Sequence, residues 1–203
     1  MPKEPEHIRK LREYAKSYLT LDELAAIESE FYGASDRSSA VILAAITEDS
    51  LRNFLLNKMR KDLNSDDRKQ LFGFEGALGT FSAKITIAYA LQFLGPVSRS
   101  DLDTIRFLRN QFAHSRKPMR FDIPEVRAVC AKLQFPDLPN VLIPIGALSR
   151  LPASDESDKS NPRTRYKIAC HNLAIRFIAA VSPPPDDLGM SIKDFFGGGD
   201  PLP

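Results

Sequence analysis

The chain has few of the residues that would indicate disulfide bonds, a membrane anchor or a strongly charged partner. It has only two cysteines, Cys130 and Cys170, which are far apart in sequence, so we expect free thiols in a reducing compartment. No apolar run reaches the roughly 18 residues that a membrane-spanning helix needs. The net charge is only +2, so there is no overall basic field of the kind that attracts nucleic acid. A nucleic-acid partner would therefore need a local basic patch.

The composition is that of an ordinary soluble protein, with 43% hydrophobic and 27% charged residues. The first residues are charged and lack the apolar segment of a signal peptide, so we expect a cytoplasmic protein without membrane contact. A length of 203 residues suits one domain with a sizeable core. We predict a helical domain over residues 1–182 and a flexible tail, rich in proline and glycine, over residues 183–203.

Hydrophobic periodicity predicts helices along nearly the whole chain, so the expected fold class is all-α, a single-domain bundle of about six to seven helices. The second predicted helix begins at Thr20, where Thr20 and Glu23 form a capping-box pattern, and ends at Gly33. The third, from about 35 to 61, includes the stretch 40–46, which is apolar all round and should run through the centre of the core. The other predicted helices cover about residues 5–18, 81–94, 100–114, 124–133 and 161–181.

Three segments lack a clear helical pattern. Residues 62–80 are polar and then rich in glycine, and a tight connection suits them better than a phosphate-binding loop, because no Lys-Ser/Thr pair ends the segment. Residues 134–152 are interrupted by prolines and leave two interpretations open, an extended segment packed on the helices or a short strand. Residues 153–162 are rich in Ser, Asp and Lys and predict a mobile loop.

The most specific chemical pattern is at the end of the predicted helix 100–114, where Arg109, Asn110 and His114 suit metal-independent cleavage of RNA. A histidine can take a proton from a ribose 2′-hydroxyl at neutral pH. An arginine fork can hold the phosphate and stabilise its developing charge. No cofactor and no metal are expected for such a site. The neighbourhood is basic as well, with two aspartates in the segment that carries Arg99, Arg106, Arg109, Arg116, Lys117 and Arg120.

The same three residues also suit a structural role. Arg109 and His114 are five residues apart, hence about 140° apart on an ideal helix. They would converge only if the helix end unwinds or if helices of two subunits face each other. A cation at a helix C-terminus contributes roughly 0.3 to 1 kcal/mol, and Asn110 can bond to another helix. Chemistry alone favours this role over catalysis.

Two carboxylates, Glu48 and Asp49, lie in the middle of the most apolar predicted helix. A buried carboxylate is costly unless it is paired. We therefore expect one of the two to bond an arginine such as Arg109 on the neighbouring helix. Such a pair would either orient a catalytic arginine or fix the helix bundle.

Several segments resemble the mannitol operon repressor (MltR) family. They are Ser35–Ala40, Gly76–Ile85, Ala88–Leu91, Arg109–Ser115 and Asn161–Tyr166, which together span about residues 30–180. The resemblance implies an all-α regulator of transcription from sugar-alcohol operons. The residues themselves contain no helix-turn-helix with a basic recognition helix and no basic arm. We therefore expect a protein partner rather than sequence-specific DNA binding, and nothing specifies mannitol.

Arg109-Asn110 followed by His114 also resembles the Arg-x4-His signature of HEPN domains, helical dimers that include metal-independent ribonucleases of toxin and defence systems. By that resemblance Arg109 would bind the scissile phosphate, Asn110 would support the site and His114 would be the general base, with the site doubled across a homodimer. The two resemblances leave three hypotheses. The favoured one is a regulator that acts through an unidentified protein partner. The others are a HEPN-like endoribonuclease that acts on RNA and an inactive HEPN-like dimeric scaffold.

Overall fold

The computed structural model describes residues 5–15, 19–20, 23–24, 26–27, 33–137 and 158–181. These residues contain seven α-helices, one short 3-10 helix and no strand, which confirms the all-α prediction. The elements are α1 (Glu6–Ala15), α2 (Asp36–Lys58), α3 (Ser65–Phe72), α4 (Phe81–Ala90), α5 (Pro96–His114), α6 (Pro124–Cys130), the 3-10 helix (Phe135–Asp137) and α7 (Pro162–Ala179).

Helices α2 and α7 form the centre of the bundle and share its most extensive helix–helix contact. Both begin with side-chain caps: Ser35 Oγ accepts the N–H of Ser38 before α2, and the Asn161 side chain accepts two N–H groups at the start of α7. Tyr166 of α7 is fully buried, and its hydroxyl donates to the carbonyl oxygen of Ala40 at 2.8 Å. The caps fix where the two helices begin, and the bond between Tyr166 and Ala40 fixes one against the other.

The apolar stretch 40–46 is central to the bundle, as predicted, but it is not buried on every side. Ala40, Leu43 and Ala44 are buried, whereas Ile42 is 42% exposed. Helix α2 therefore has one side in solvent, because α5 and α7 cover only part of its circumference.

The predicted capping box at Thr20 is present. The Glu23 carboxylate accepts the N–H of Thr20 at 2.8 Å, and Thr20 Oγ1 accepts the N–H of Glu23 at 3.2 Å. Leu24 then packs on Ile175 and Ile178 of α7 in a small second core. Most of the remaining helix predicted up to Gly33 lies outside the described residues.

The segment 62–80 contains a helix that the sequence did not predict. Asn64 is the N-cap of α3: its side chain accepts the N–H groups of Asp66 and Asp67, and the Asp67 carboxylate accepts the N–H of Asn64. This is a capping box built with Asn and Asp rather than with the usual Ser/Thr and Glu/Gln. Its aspartates also suit the positive end of the helix dipole.

The glycines after α3 make a tight connection, as predicted. A Cβ atom at Gly73, Gly76 or Gly79 would collide with backbone oxygen atoms of the same segment. Glycine is therefore required here by close backbone approach, which lets the chain turn from α3 into α4 within eight residues.

Helix α5 begins four residues earlier than predicted. Gly95 is its N-cap and Pro96 its first residue, so Ser100, the predicted first residue, lies inside the helix. The preceding helix was predicted to run up to residue 94, just before Gly95-Pro96, but it ends at Ala90. Proline suits the first helical turn, where its missing N–H has no partner to lose.

The remaining boundaries also differ from prediction. Helix α6 ends at Cys130, three residues early, and the undecided segment begins with the 3-10 helix. The rest of that segment, most of the predicted mobile loop and the predicted tail 183–203 lie outside the described residues. Among the residues that are described, no helix combines the length and apolar character needed to cross a membrane.

One buried carboxylate stabilises the core near α5. Asp101 is fully buried, and its carboxylate accepts the N–H groups of Gln134 (2.9 Å) and Phe135 (2.8 Å), which holds the 3-10 helix against α5. Burial raises the pKa of Asp101, although these two N–H groups act in the opposite direction. Cys130 and Cys170 form no disulfide bond, as predicted, and both are buried.

Candidate functional site

Helix α5 carries all three predicted site residues, and it is unbroken up to His114. The N–H of Ser115 still donates to the carbonyl of Gln111 at 3.0 Å, so the last turn does not unwind. Arg109 and His114 therefore keep the separation of about 140° that five residues give on a regular helix. Arg109 and His114 can therefore come together only if the helices of two subunits face each other.

The structure brings Arg109 and Asn110 together. Nη1 of Arg109 donates to Oδ1 of Asn110 at 3.0 Å, and both side chains are half-buried. The prediction that Glu48 or Asp49 pairs with Arg109 is wrong. Glu48 Oε1 instead accepts from Lys84 Nζ of α4 at 2.7 Å. Helix α4 packs against α2 and places Lys84 beside this carboxylate.

An outward-facing stripe on α5 contains Phe107, Asn110 and His114, which we call the α5 face. Their spacing of three and four residues places them along one side of the helix. Phe107 is 48% exposed and His114 is exposed, whereas Ile105 and Leu108 on the opposite side are buried. Sequence reasoning missed Phe107, although its spacing from Asn110 and His114 places it on the same side of the helix.

The chain after α5 is basic and is attached to the start of α2. Arg37 Nη2 donates to the carbonyl oxygens of Ser115 at 2.8 Å and Lys117 at 3.0 Å. These bonds satisfy carbonyl groups at and beyond the helix end, where intrahelical donors are missing. Arg116 and Lys117 are exposed, and within the described part of the chain neither side chain has an ion-pair partner.

A cleft of about 690 Å³ begins at this basic segment. Two further cations line it, but each is paired: Arg163 with Asp36 at 3.2 Å and Arg120 with Asp122 at 2.9 Å. Arg99 and Arg106, also part of the predicted basic neighbourhood, both lie near Asp103. The local basic patch is therefore narrower than the sequence indicated.

Neither a family model, nor a curated protein, nor a solved structure matches this chain. The function must therefore be inferred from the geometry of its own residues.

Proposed function

We propose that the protein is a regulator of the MltR type that acts by binding a protein partner through the α5 face. The observation that carries the proposal is the exposed aromatic ring of Phe107 beside Asn110 and His114. Aromatic residues are enriched at protein interfaces, where a few of them provide most of the binding energy. A large ring held in solvent on a rigid helix is a suitable anchor for such an interface.

Sequence-specific binding to DNA has less support. A protein that reads bases presents a basic helix or arm to the groove. The exposed cations nearest the α5 face, Arg116 and Lys117, lie in the loop after the helix. The net charge of +2 also gives little attraction to phosphates at a distance.

The test is capture of partners by the tagged full chain, comparing wild type with Phe107→Ser and with Phe74→Ser. Phe74 is a matched control because it is 99% exposed in the connection between α3 and α4. We expect a specific protein to co-purify with wild type and with Phe74→Ser, and to be lost with Phe107→Ser. Repeated captures that return the chain alone, or equal recovery with both variants, would contradict the proposal.

A HEPN-like ribonuclease is the second candidate, and the exposed imidazole of His114 favours it. Arg116 and Lys117 follow within three residues and are exposed cations able to hold a phosphate. Arg109 is half-buried and faces away from His114 on the same helix, so this mechanism needs a homodimer in which one protomer supplies the arginine and its partner the histidine.

The ribonuclease test is cleavage of RNA by the purified chain in EDTA, with His114→Ala and His7→Ala as a pair. His7 is an exposed histidine on α1, away from α5, so its substitution controls for the loss of an imidazole. Cleavage that is lost only with His114→Ala would establish the enzyme. If no form cleaves while all are folded, the enzyme candidate is excluded; a homodimer without activity would then support the scaffold.

A further inference from the structure

A pocket of about 820 Å³ lies between α2, α3 and the glycine-rich connection, and Lys84 of α4 and the N-terminal residues Leu19 and Ile27 also line it. No residue of α5 lines it, so it is separate from the α5 face. Its volume is within the range of roughly 300 to 1,000 Å³ that is usual for small-molecule sites. The charges of its lining residues therefore decide which class of small molecule it suits.

A buried ion pair forms part of the pocket wall. Lys84 Nζ is 2.7 Å from Glu48 Oε1, and the two side chains are only 4% and 17% exposed. Lys84 also donates to the carbonyl oxygen of Gly79 at 3.4 Å. Buried ion pairs seldom stabilise a fold more than apolar residues would, so stability alone gives little reason for this pair.

The pocket has more cations than carboxylates. Among the described residues that line it, four are cations (Arg52, Arg68, Lys69 and Lys84) and two are acids (Glu48 and Asp49), and Glu48 is already bound to Lys84. Asp49 forms no ion pair among the described residues, and burial raises its pKa although the nearby charges of Arg52 and Lys84 act in the opposite direction. The described lining of the pocket therefore carries an excess of positive charge.

Arg52 is the cation best placed to receive an anion. Its guanidinium lies 5.5 Å from the centre of the Phe72 ring, which orients it, and its one described hydrogen bond is a long one of 3.5 Å to Asn53 Oδ1. Ser50 lines the same pocket, and its buried Oγ has no hydrogen-bond partner among the described residues. Buried hydroxyl groups usually have a partner, which a bound ligand or water can provide.

We propose that this pocket binds a small anionic ligand bearing a phosphate or carboxylate group, with Arg52 as its principal contact. Lys69 and Arg68 lie at the exposed rim and add attraction, while the Lys84–Glu48 pair holds the wall between α2 and α4 in place. An arginine fork matches both phosphate and carboxylate geometry. This binding site is separate from the α5 face, and its test does not depend on whether the α5 face binds a partner.

The experiment is an NMR titration of the ¹⁵N-labelled full chain, at constant ionic strength, with inorganic phosphate, pyrophosphate and citrate. We expect saturable shifts of amide signals in the segments 49–53 and 68–73. Arg52→Gln should weaken the binding about tenfold to a hundredfold, because a hydrogen bond between charged groups is lost. Lys69→Gln at the rim should weaken it less, and it provides a second variant if Arg52→Gln does not fold.

Arg116→Gln is the matched control, since Arg116 is an exposed arginine that does not line this pocket. A response to the phosphates alone identifies a phosphate-bearing ligand, and a response to citrate alone identifies a carboxylate-bearing one; both support the site. The proposal is overturned if none of the three anions gives saturable shifts, if the shifts centre on residues 115–120, or if Arg116→Gln weakens binding as much as the pocket variants do.

Discussion

Arg37, at the start of α2, holds the carbonyl oxygen of Ser115, at the end of α5, through a hydrogen bond of 2.8 Å. The same Nη2 atom also donates to the carbonyl of Lys117. The first turn of the central helix thereby fixes the chain that follows His114. The position of the exposed imidazole is thus set by α2 as well as by its own helix.

Arg37→Ala should loosen the end of α5 more than it destabilises the whole fold. Arg37 is exposed, so we expect a loss of only about 1 kcal/mol in the free energy of unfolding. Amide hydrogen exchange at residues 115–117 should increase well beyond that of the rest of the helix. Arg116→Ala is the control, and an equal increase in exchange with that variant would contradict the assignment.

Asp101→Ala should strongly destabilise the protein. The substitution leaves the buried N–H groups of Gln134 and Phe135 without an acceptor, at about 1 to 3 kcal/mol each. Asp103→Ala, on the same helix but with its carboxylate partly in solvent, should cost less than about 1 kcal/mol. The free energies of unfolding of both variants can be compared by urea denaturation. Similar losses for the two would show that Asp101 does not hold the 3-10 helix.

Lys84 and Glu48 should behave as a coupled pair. Lys84→Met leaves a largely buried carboxylate unpaired, for which about 3 to 5 kcal/mol is expected. The double variant Lys84→Met, Glu48→Leu should recover most of that loss, because the unpaired charge is removed. The measurement is a double-mutant cycle from unfolding free energies. Additive losses in the double variant would mean that the two side chains do not interact.

Cys130 should be inert in the folded protein. Burial raises the pKa of its thiol from 9.0 to about 12, so at pH 8 only about one molecule in 10,000 carries the thiolate that reacts. Because the folded pKa is the higher one, this thiol's contribution to stability is fully present below pH 9.0 and is lost between 9.0 and about 12. A thiol reagent at pH 8 should label Cys130 and Cys170 only after unfolding. Rapid labelling of Cys130 in the native protein would contradict its burial.

The sequence predicted the helical class because that depends on periodicity, which is local. It failed at Asn64 and Asp67, whose short polar side chains look like loop residues until their mutual capping bonds are seen. It also failed at Gly95-Pro96, since the same pair of residues suits the end of one helix and the start of the next. Both errors concern signals that are ambiguous without the neighbouring elements.

The sequence proposed the residues of the candidate site, but it could not predict their contacts. Arg109, Asn110 and His114 were identified from their chemical types and spacing, and the helix that carries them was expected. The partner of Glu48 was not, because the meeting of Lys84 with that carboxylate depends on how α4 packs on α2. The exposure of Phe107 was missed for a similar reason, as it depends on which side of α5 the other helices leave uncovered.

The affinity of the purified protein partner for wild type, Phe107→Ser and Phe74→Ser, measured by calorimetry, is the most direct test of the α5 face. Loss of an aromatic interface anchor costs about 2 kcal/mol or more, so we predict binding about thirtyfold weaker with Phe107→Ser and unchanged with Phe74→Ser. Thermal unfolding of both variants provides the control for folding. Wild-type affinity in a folded Phe107→Ser variant would contradict the assignment of this face as the partner-binding surface.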